Sequence, residues 1–293
     1  MLGLVAAFTA VMTGAAYVLV ARRDLGAGLL PARPGPAEGA AALNGPFALA
    51  WRLQRGALYS WAAGFAVAGA LYGSVGNSIS GIVEDNAQLG DMVRRMGGPG
   101  ALTDSFFATA MGLLGMLAAA YAVQSTLRLR SEETGRLAEP LLANAVGRVR
   151  WACSHLVFPA LGTLVLLAVG GLSAGLAYGA TIGDISGQLP TLTGAALAQA
   201  PAVWVTAALT LVLFGWLPEA SAAAWGVFAA LLLCGQLGPV LPQLMLDLSP
   251  FTHLPKAPGG PQTAAPYVWL VLVAAVAAAV GLTGFRRRDL AGD

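Results

Sequence analysis

Residues 2–25 read LGLVAAFTAVMTGAAYVLVARRDL, twenty residues without a charge followed by Arg22-Arg23-Asp24-Leu25. An uncharged run of that length is what an α-helix needs to cross a ~30 Å hydrocarbon layer at ~1.5 Å per residue. The phrase returns at the other end, where an apolar run over 266–285 meets Arg287-Arg288-Asp289-Leu290. The chain opens and closes on segments that fit a membrane and finish alike, and the first looks like the last helix of a preceding unit.

Composition extends this reading to the whole chain. Hydrophobic residues make up 57% and charged residues 10%, and the mean hydropathy is +0.71. A soluble domain needs a polar surface that this composition cannot supply, so the class is an all-α integral membrane protein. The 38 glycines suit it, because small residues let helices approach closely in lipid, where no water competes for the backbone. The net charge of +2 gives no footprint for nucleic acid. Cys153 and Cys234 have no companion Cys or His at ligand spacing, so neither a disulfide nor a metal site is expected.

Apolar runs between charged interruptions predict about seven spans, over 2–21, 57–80, 105–127, 154–180, 195–217, 222–246 and 266–285. The first is not a cleavable signal peptide, since its basic residues follow the apolar run instead of preceding it. If the first span ends in the cytoplasm, 13 arginines fall inside and only Arg94, Arg95 and Lys256 fall outside. That bias predicts a multi-pass plasma-membrane protein with the N-terminus outside and the C-terminus inside.

The stretch 29–36 carries three prolines and reads as an extended linker. The expected organisation is a lone transmembrane helix over 1–30, a Pro/Gly-rich linker over 31–45 and a six-helix unit over 46–293. Trp51, Arg52 and Arg55, mixed with Phe47, Leu49 and Leu53, predict a short helix in the membrane interface. Outside, 84–104 carries Leu89, Met92, Val93 and Met96 at helical spacing and predicts a small capping helix. His253, in the last outer loop, has no acid or nucleophile near it in sequence and reads as structural.

The segment 128–150 holds eight charged residues in twenty-three. Glu132 precedes Arg136 by four residues, the favourable order on a helix, and Glu139 follows three later. Leu137, Leu141 and Leu142 supply an apolar side, interrupted by Pro140. This predicts a short amphipathic cytoplasmic helix against which a soluble partner can push.

Several separate motifs then carry a resemblance. They are Glu132-Glu133-Thr134 with Glu139-Pro140-Leu141-Leu142-Ala143 and Arg148-Val149-Arg150-Trp151; Trp51-Arg52-Leu53-Gln54-Arg55-Gly56; Asp247-Leu248-Ser249-Pro250-Phe251-Thr252-His253; and Phe285-Arg286-Arg287-Arg288-Asp289. Over nearly its whole length the chain resembles an actinobacterial ABC-2 type exporter permease of the kind named for polyketide antibiotics. Such permeases often carry two six-helix halves, and this chain matches the last helix of a first half plus a complete second half. The resemblance implies that 128–151 contains a coupling helix for a dimeric cytoplasmic ABC ATPase, docking through Arg130, Glu132, Glu133, Arg136 and Glu139. It also implies a connecting helix at Trp51, Arg52 and Arg55, and a second permease half as a separate chain or second copy.

The chain has no phosphate-cradling loop, because that motif needs Gly-Lys-Ser/Thr and the sole lysine sits in Pro255-Lys256-Ala257. No directly bound cofactor is expected; ATP and magnesium belong to the partner. Polar residues within the spans, Gln124, Ser125, Thr163, Gln199, Thr206, Gln236 and Gln243, read as hydrogen bonds between helices, with Gln124, Gln199, Thr206 and Gln236 also candidates for a substrate path. Met92, Met96, Met111 and Met116 fit core packing or an adaptable substrate surface. The expected function is export of hydrophobic or amphipathic molecules, driven by a separate ATPase. The competing readings are a non-transporting membrane scaffold and an intramembrane enzyme, for which His155 is the one candidate base.

Overall fold

The computed structural model describes residues 2–21, 45–84, 99–135, 146–236, 242–260 and 262–288. Most of the linker at 31–45, the capping helix at 84–104 up to residue 98, and the coupling segment at 136–145, with Arg136 and Glu139, lie outside them. The chain divides into two compact units, Met1–Asn44 and Gly45–Asp293. In the first, α1 (Leu2–Ala21) is an uninterrupted helix. A hydroxyl on it returns to its own backbone, Thr13 Oγ1 donating to the Thr9 carbonyl at 2.8 Å, as lipid requires of a polar group.

The regular elements of the second unit, among its described residues, are all helical: α2 (Pro46–Glu84), α3 (Pro99–Thr134), α4 (Arg148–Val157), a π turn (Phe158–Gly162), α5 (Thr163–Ile182), α6 (Ile185–Leu197), α7 (Ala200–Trp216), a 3₁₀ turn (Pro218–Ala223), α8 (Ala224–Gln236), α9 (Gln243–Leu246), a second 3₁₀ turn (Pro250–His253) and α10 (Ala264–Arg287). Among the described residues, five stretches are long and apolar enough to cross a membrane: Ala101–Thr134, Arg148–Ile182, Ile185–Trp216, Pro218–Gly235 and Ala264–Arg287. The other two expected spans fall on α1 and on α2, which is longer than each of the five but more mixed, with Tyr59, Ser60, Trp61, Tyr72 and Ser74 in its apolar stretch.

Two expectations need correction. The interfacial helix is not a separate element, since Trp51, Arg52 and Arg55 lie on the first turns of the continuous 39-residue α2. No proline interrupts the helix after Pro46, and Gln54 and Leu58, four apart, are both buried on its inner face. The span expected at 195–217 begins ten residues earlier, as α6. That stretch contains two glycines and Pro190 and looks like a loop in sequence. It becomes a helix because α5 offers it a groove: methyl groups added to Gly171, Gly175 and Gly179 would sit 2.7, 2.7 and 2.6 Å from the Cα atoms of Thr193, Leu189 and Ile185. Three glycines one turn apart therefore let the two backbones pack antiparallel. The turn between them is left-handed at Gly183, φ 77°, and Asp184 caps α6 by accepting from Gly187 N at 3.0 Å.

Prolines break both composite spans. Pro159 has no N–H for the His155 carbonyl, which accepts from Phe158 instead, and the ladder slips into the π turn. Pro201 likewise cannot serve the Leu197 carbonyl, and the chain turns at Ala198-Gln199 before α7 starts. At the centre stands α3, whose Phe107, Met111, Leu114, Ala118, Tyr121 and Ala122 are buried against Phe65 of α2, Leu166 and Leu167 of α5, and Leu192 and Val203 of α6 and α7. Met111 is thus a packing residue.

Candidate functional site

The end of the bundle where α3 stops and α4 starts is braced by charge. Arg128 Nε meets Glu132 Oε1 at 2.8 Å along α3, and Arg130 Nη1 lies 3.6 Å from Glu133 Oε2. Arg288, just past α10, reaches back to Glu133, Nη2 to Oε1 at 2.5 Å. Its Nη1 donates to the Phe214 carbonyl at the end of α7, 3.0 Å away. Its guanidinium lies 5.0 Å from the Phe214 ring centre and 5.6 Å from that of Phe285. Arg148, opening α4, donates to the Arg288 carbonyl at 2.9 Å. One arginine therefore ties together the ends of α3, α7 and α10 and the start of α4.

Beneath the brace, Leu129, Trp151, Leu211, Phe214 and Phe285 form a buried cluster, with Phe214 and Phe285 stacked at 5.4 Å. The Arg288 and Glu133 side chains are only 15% and 12% exposed, so solvent screens the pair little. The residues expected on a docking surface divide accordingly. Glu132, 5% exposed, and Glu133 turn inward to arginines of their own chain, and Arg130 is half-buried beside Glu133. Glu132 pairs with Arg128, one turn back on α3; the expected Glu132–Arg136 pair involves Arg136, which lies outside the described residues. Sequence reading counted Arg288 in a repeated phrase but missed its role as a pin.

Farther along the bundle lies a buried polar group. Ser125 Oγ donates to Gln54 Oε1 at 2.7 Å, and Gln54 Nε2 lies 3.2 Å from His155 Nδ1. An amide nitrogen can only donate, so His155 accepts at Nδ1. This joins α2, α3 and α4 by side chains that sequence reading treated separately. Trp51 stacks on Phe158 at 6.1 Å, while Arg52 and Arg55 are exposed. His155 is thus held by Gln54 and by packing against Trp151, with 5.4 Å between ring centres.

The four path candidates part company. Gln124 accepts from Trp61 Nε1 at 2.8 Å, and Thr206 returns to the Ala202 carbonyl of its own helix at 3.1 Å. Thr163 likewise bonds the Pro159 carbonyl, four residues back on its own chain. The side chain of Gln236 lies outside the described residues. Gln199, at the break before α7, faces Gly115 of α3, where an added methyl would stand 2.8 Å from its Cβ. There it lines a cavity of about 740 Å³ between α3, Gly235 of α8, and the 246–260 segment. Met116 reaches the same cavity. His253 Nδ1 lies 2.9 Å from the Ser249 carbonyl, as a structural residue should.

Residues 43–286, which take in α2 through most of α10, match the family model described as multidrug efflux system permease Rv1217c, C-terminal domain. The multidrug efflux system permease protein Rv1217c of Mycobacterium tuberculosis is 48% identical over 287 residues. That alignment takes in 97% of this chain and 52% of the relative, so the chain spans about half the length of the curated relative it matches.

Proposed function

The chain belongs to the family of C-terminal domains of multidrug efflux system permeases, and from that premise we propose that it is a membrane subunit of an ATP-driven, ABC-2 type exporter. Its cargo is hydrophobic or amphipathic, and a separate cytoplasmic ABC ATPase dimer supplies ATP and magnesium. A second permease half, on another chain or a second copy, completes the pathway in the plasma membrane. Membership in the permease family and the half-length match support this. So does the meagre packing of Pro218–Gly235, whose most apolar window is only 17% buried within the chain.

The Arg288 brace is the observation that carries the coupling mechanism. The segment 136–145, taken as the ATPase contact, lies between the end of α3 and the start of α4. Both flanks are bound to Arg288, Glu133 on one side and Arg148 on the other. A push on that segment reaches α7 and α10 through hydrogen bonds and ring contacts instead of being absorbed at a loose loop end. ATP-driven closure of the ATPase dimer thereby biases the spans between two packings. In this reading Arg136 and Glu139 touch the ATPase, while Arg130, Glu132 and Glu133 hold the frame.

Co-expression with an ABC ATPase subunit, followed by co-purification and ATP hydrolysis in lipid discs, tests the assignment. Reversing both charges, Arg136→Glu with Glu139→Arg, is expected to abolish co-purification and stimulated hydrolysis while leaving the permease folded. Unchanged binding and stimulation would remove 136–145 from the docking surface.

A further inference from the structure

The cavity at Gln199 is walled by apolar side chains, Leu113, Met116 and Phe251, and contains two ionisable ones, Asp104 and Lys256. Its volume, about 740 Å³, falls in the range of roughly 300–1,000 Å³ that holds drug-sized molecules. The two charges do not satisfy each other. Among the described residues, neither side chain takes part in an ion pair or a hydrogen bond.

They also differ in how firmly they are held. Asp104 is half-buried on the second turn of α3, whereas Lys256 is exposed. The loop backbone presses on Asp104 at Gly259, φ 94°, where an added methyl would stand 2.7 Å from the Asp104 Cβ. A left-handed glycine is what permits that approach. The fixed charge in the wall is therefore negative. The Lys256 ammonium, on a flexible exposed stem, is free to turn to water. A carboxylate that meets no counter-charge among the described residues, beside apolar walls, selects a positive group carried on an apolar body, while Gln199 and Thr109 provide neutral hydrogen-bonding partners.

We propose that this cavity is a binding site for amphipathic organic cations, with Asp104 as their counter-charge. The proposal rests on the exporter reading for its place in transport and names the class of cargo that would be held there. The site lies among the segments expected outside the cell, so it serves the outward-facing stage, as a last holding point before release.

Two probes of nearly the same shape and opposite charge, tetraphenylphosphonium and tetraphenylborate, separate charge selection from apolar partition. Equilibrium dialysis of the full chain in lipid discs, corrected against empty discs, measures each without any ATPase. The phosphonium should bind saturably, about tenfold more weakly in Asp104→Asn, with recovery in Asp104→Glu and undiminished affinity in Lys256→Gln. The borate should show no saturable component. Phosphonium binding that does not saturate, an Asp104→Asn affinity within twofold of the parent, or equal binding of the borate would each overturn the proposal. Because no nucleotide or partner enters the measurement, such a failure leaves the ATPase docking result untouched, and the converse also holds.

Discussion

Replacing Arg288 with alanine removes several interactions at one stroke, and the structure sets their scale. The pair with Glu133 is at 2.5 Å and the bond to the Phe214 carbonyl at 3.0 Å. Each is charge-assisted, worth about 1.5–3 kcal/mol net. The contact over Phe214 at 5.0 Å adds about 0.5–1 kcal/mol. Against this stands the desolvation already spent on the two ions, which is why removing one partner of a buried pair typically costs about 3–5 kcal/mol and not the sum of its contacts. With the side chains 15% and 12% exposed, water partly rescues the orphaned Glu133, and the lower end, about 3 kcal/mol, is expected. Arg130, 3.6 Å away, keeps a weaker ion pair with Glu133, beyond a good hydrogen bond. The assay is a double-mutant cycle of Arg288→Ala with Glu133→Gln, read as unfolding free energy in mixed micelles. The expected coupling is about 1.5–3 kcal/mol, and it should change little with added salt. Additivity within about 0.5 kcal/mol would refute the brace, and with it the route proposed from the ATPase contact to α7 and α10.

Two further perturbations probe the frame. Gln54→Ala strands Ser125 and His155 at once and should lower stability by about 1–3 kcal/mol in the same micelle titration, whereas Arg52→Ala, on the exposed face of α2, should change it by less than about 0.5 kcal/mol. Gly175→Leu places a side chain where even a methyl would stand 2.7 Å from the Leu189 Cα; backbone separation of α5 and α6 should destabilise the chain by at least about 1–3 kcal/mol and lower its thermal midpoint, and an unchanged midpoint would mean the helices are not packed as described.

The class of this protein, and much of its order along the chain, was legible in residues 2–25 and their echo at 287–290. Lipid leaves a backbone no option but internal hydrogen bonding, so a long uncharged run is read as a helix almost without regard to context. That argument is local, and it succeeded where the information is local. It failed at residues 185–194, where glycines and Pro190 argue for a loop until the glycine groove of α5 is known to lie alongside. It also separated Trp51, Arg52 and Arg55 from α2, because a mixed composition says nothing about whether a helix stops.

The site was least legible of all. Gln199 stood out as a polar residue in an apolar run, but only the break ahead of Pro201 and the missing side chain at Gly115 put it in a cavity with Asp104, 95 positions away in the numbering. The phrase Arg-Arg-Asp-Leu at 287–290 announced the end of a span, which is all that hydropathy and charge can determine. That its second arginine pins Glu133, 155 residues distant, was decided by tertiary structure alone. An ion pair depends on two side chains meeting in space at hydrogen-bonding distance, and no period or spacing in the sequence records which two they will be.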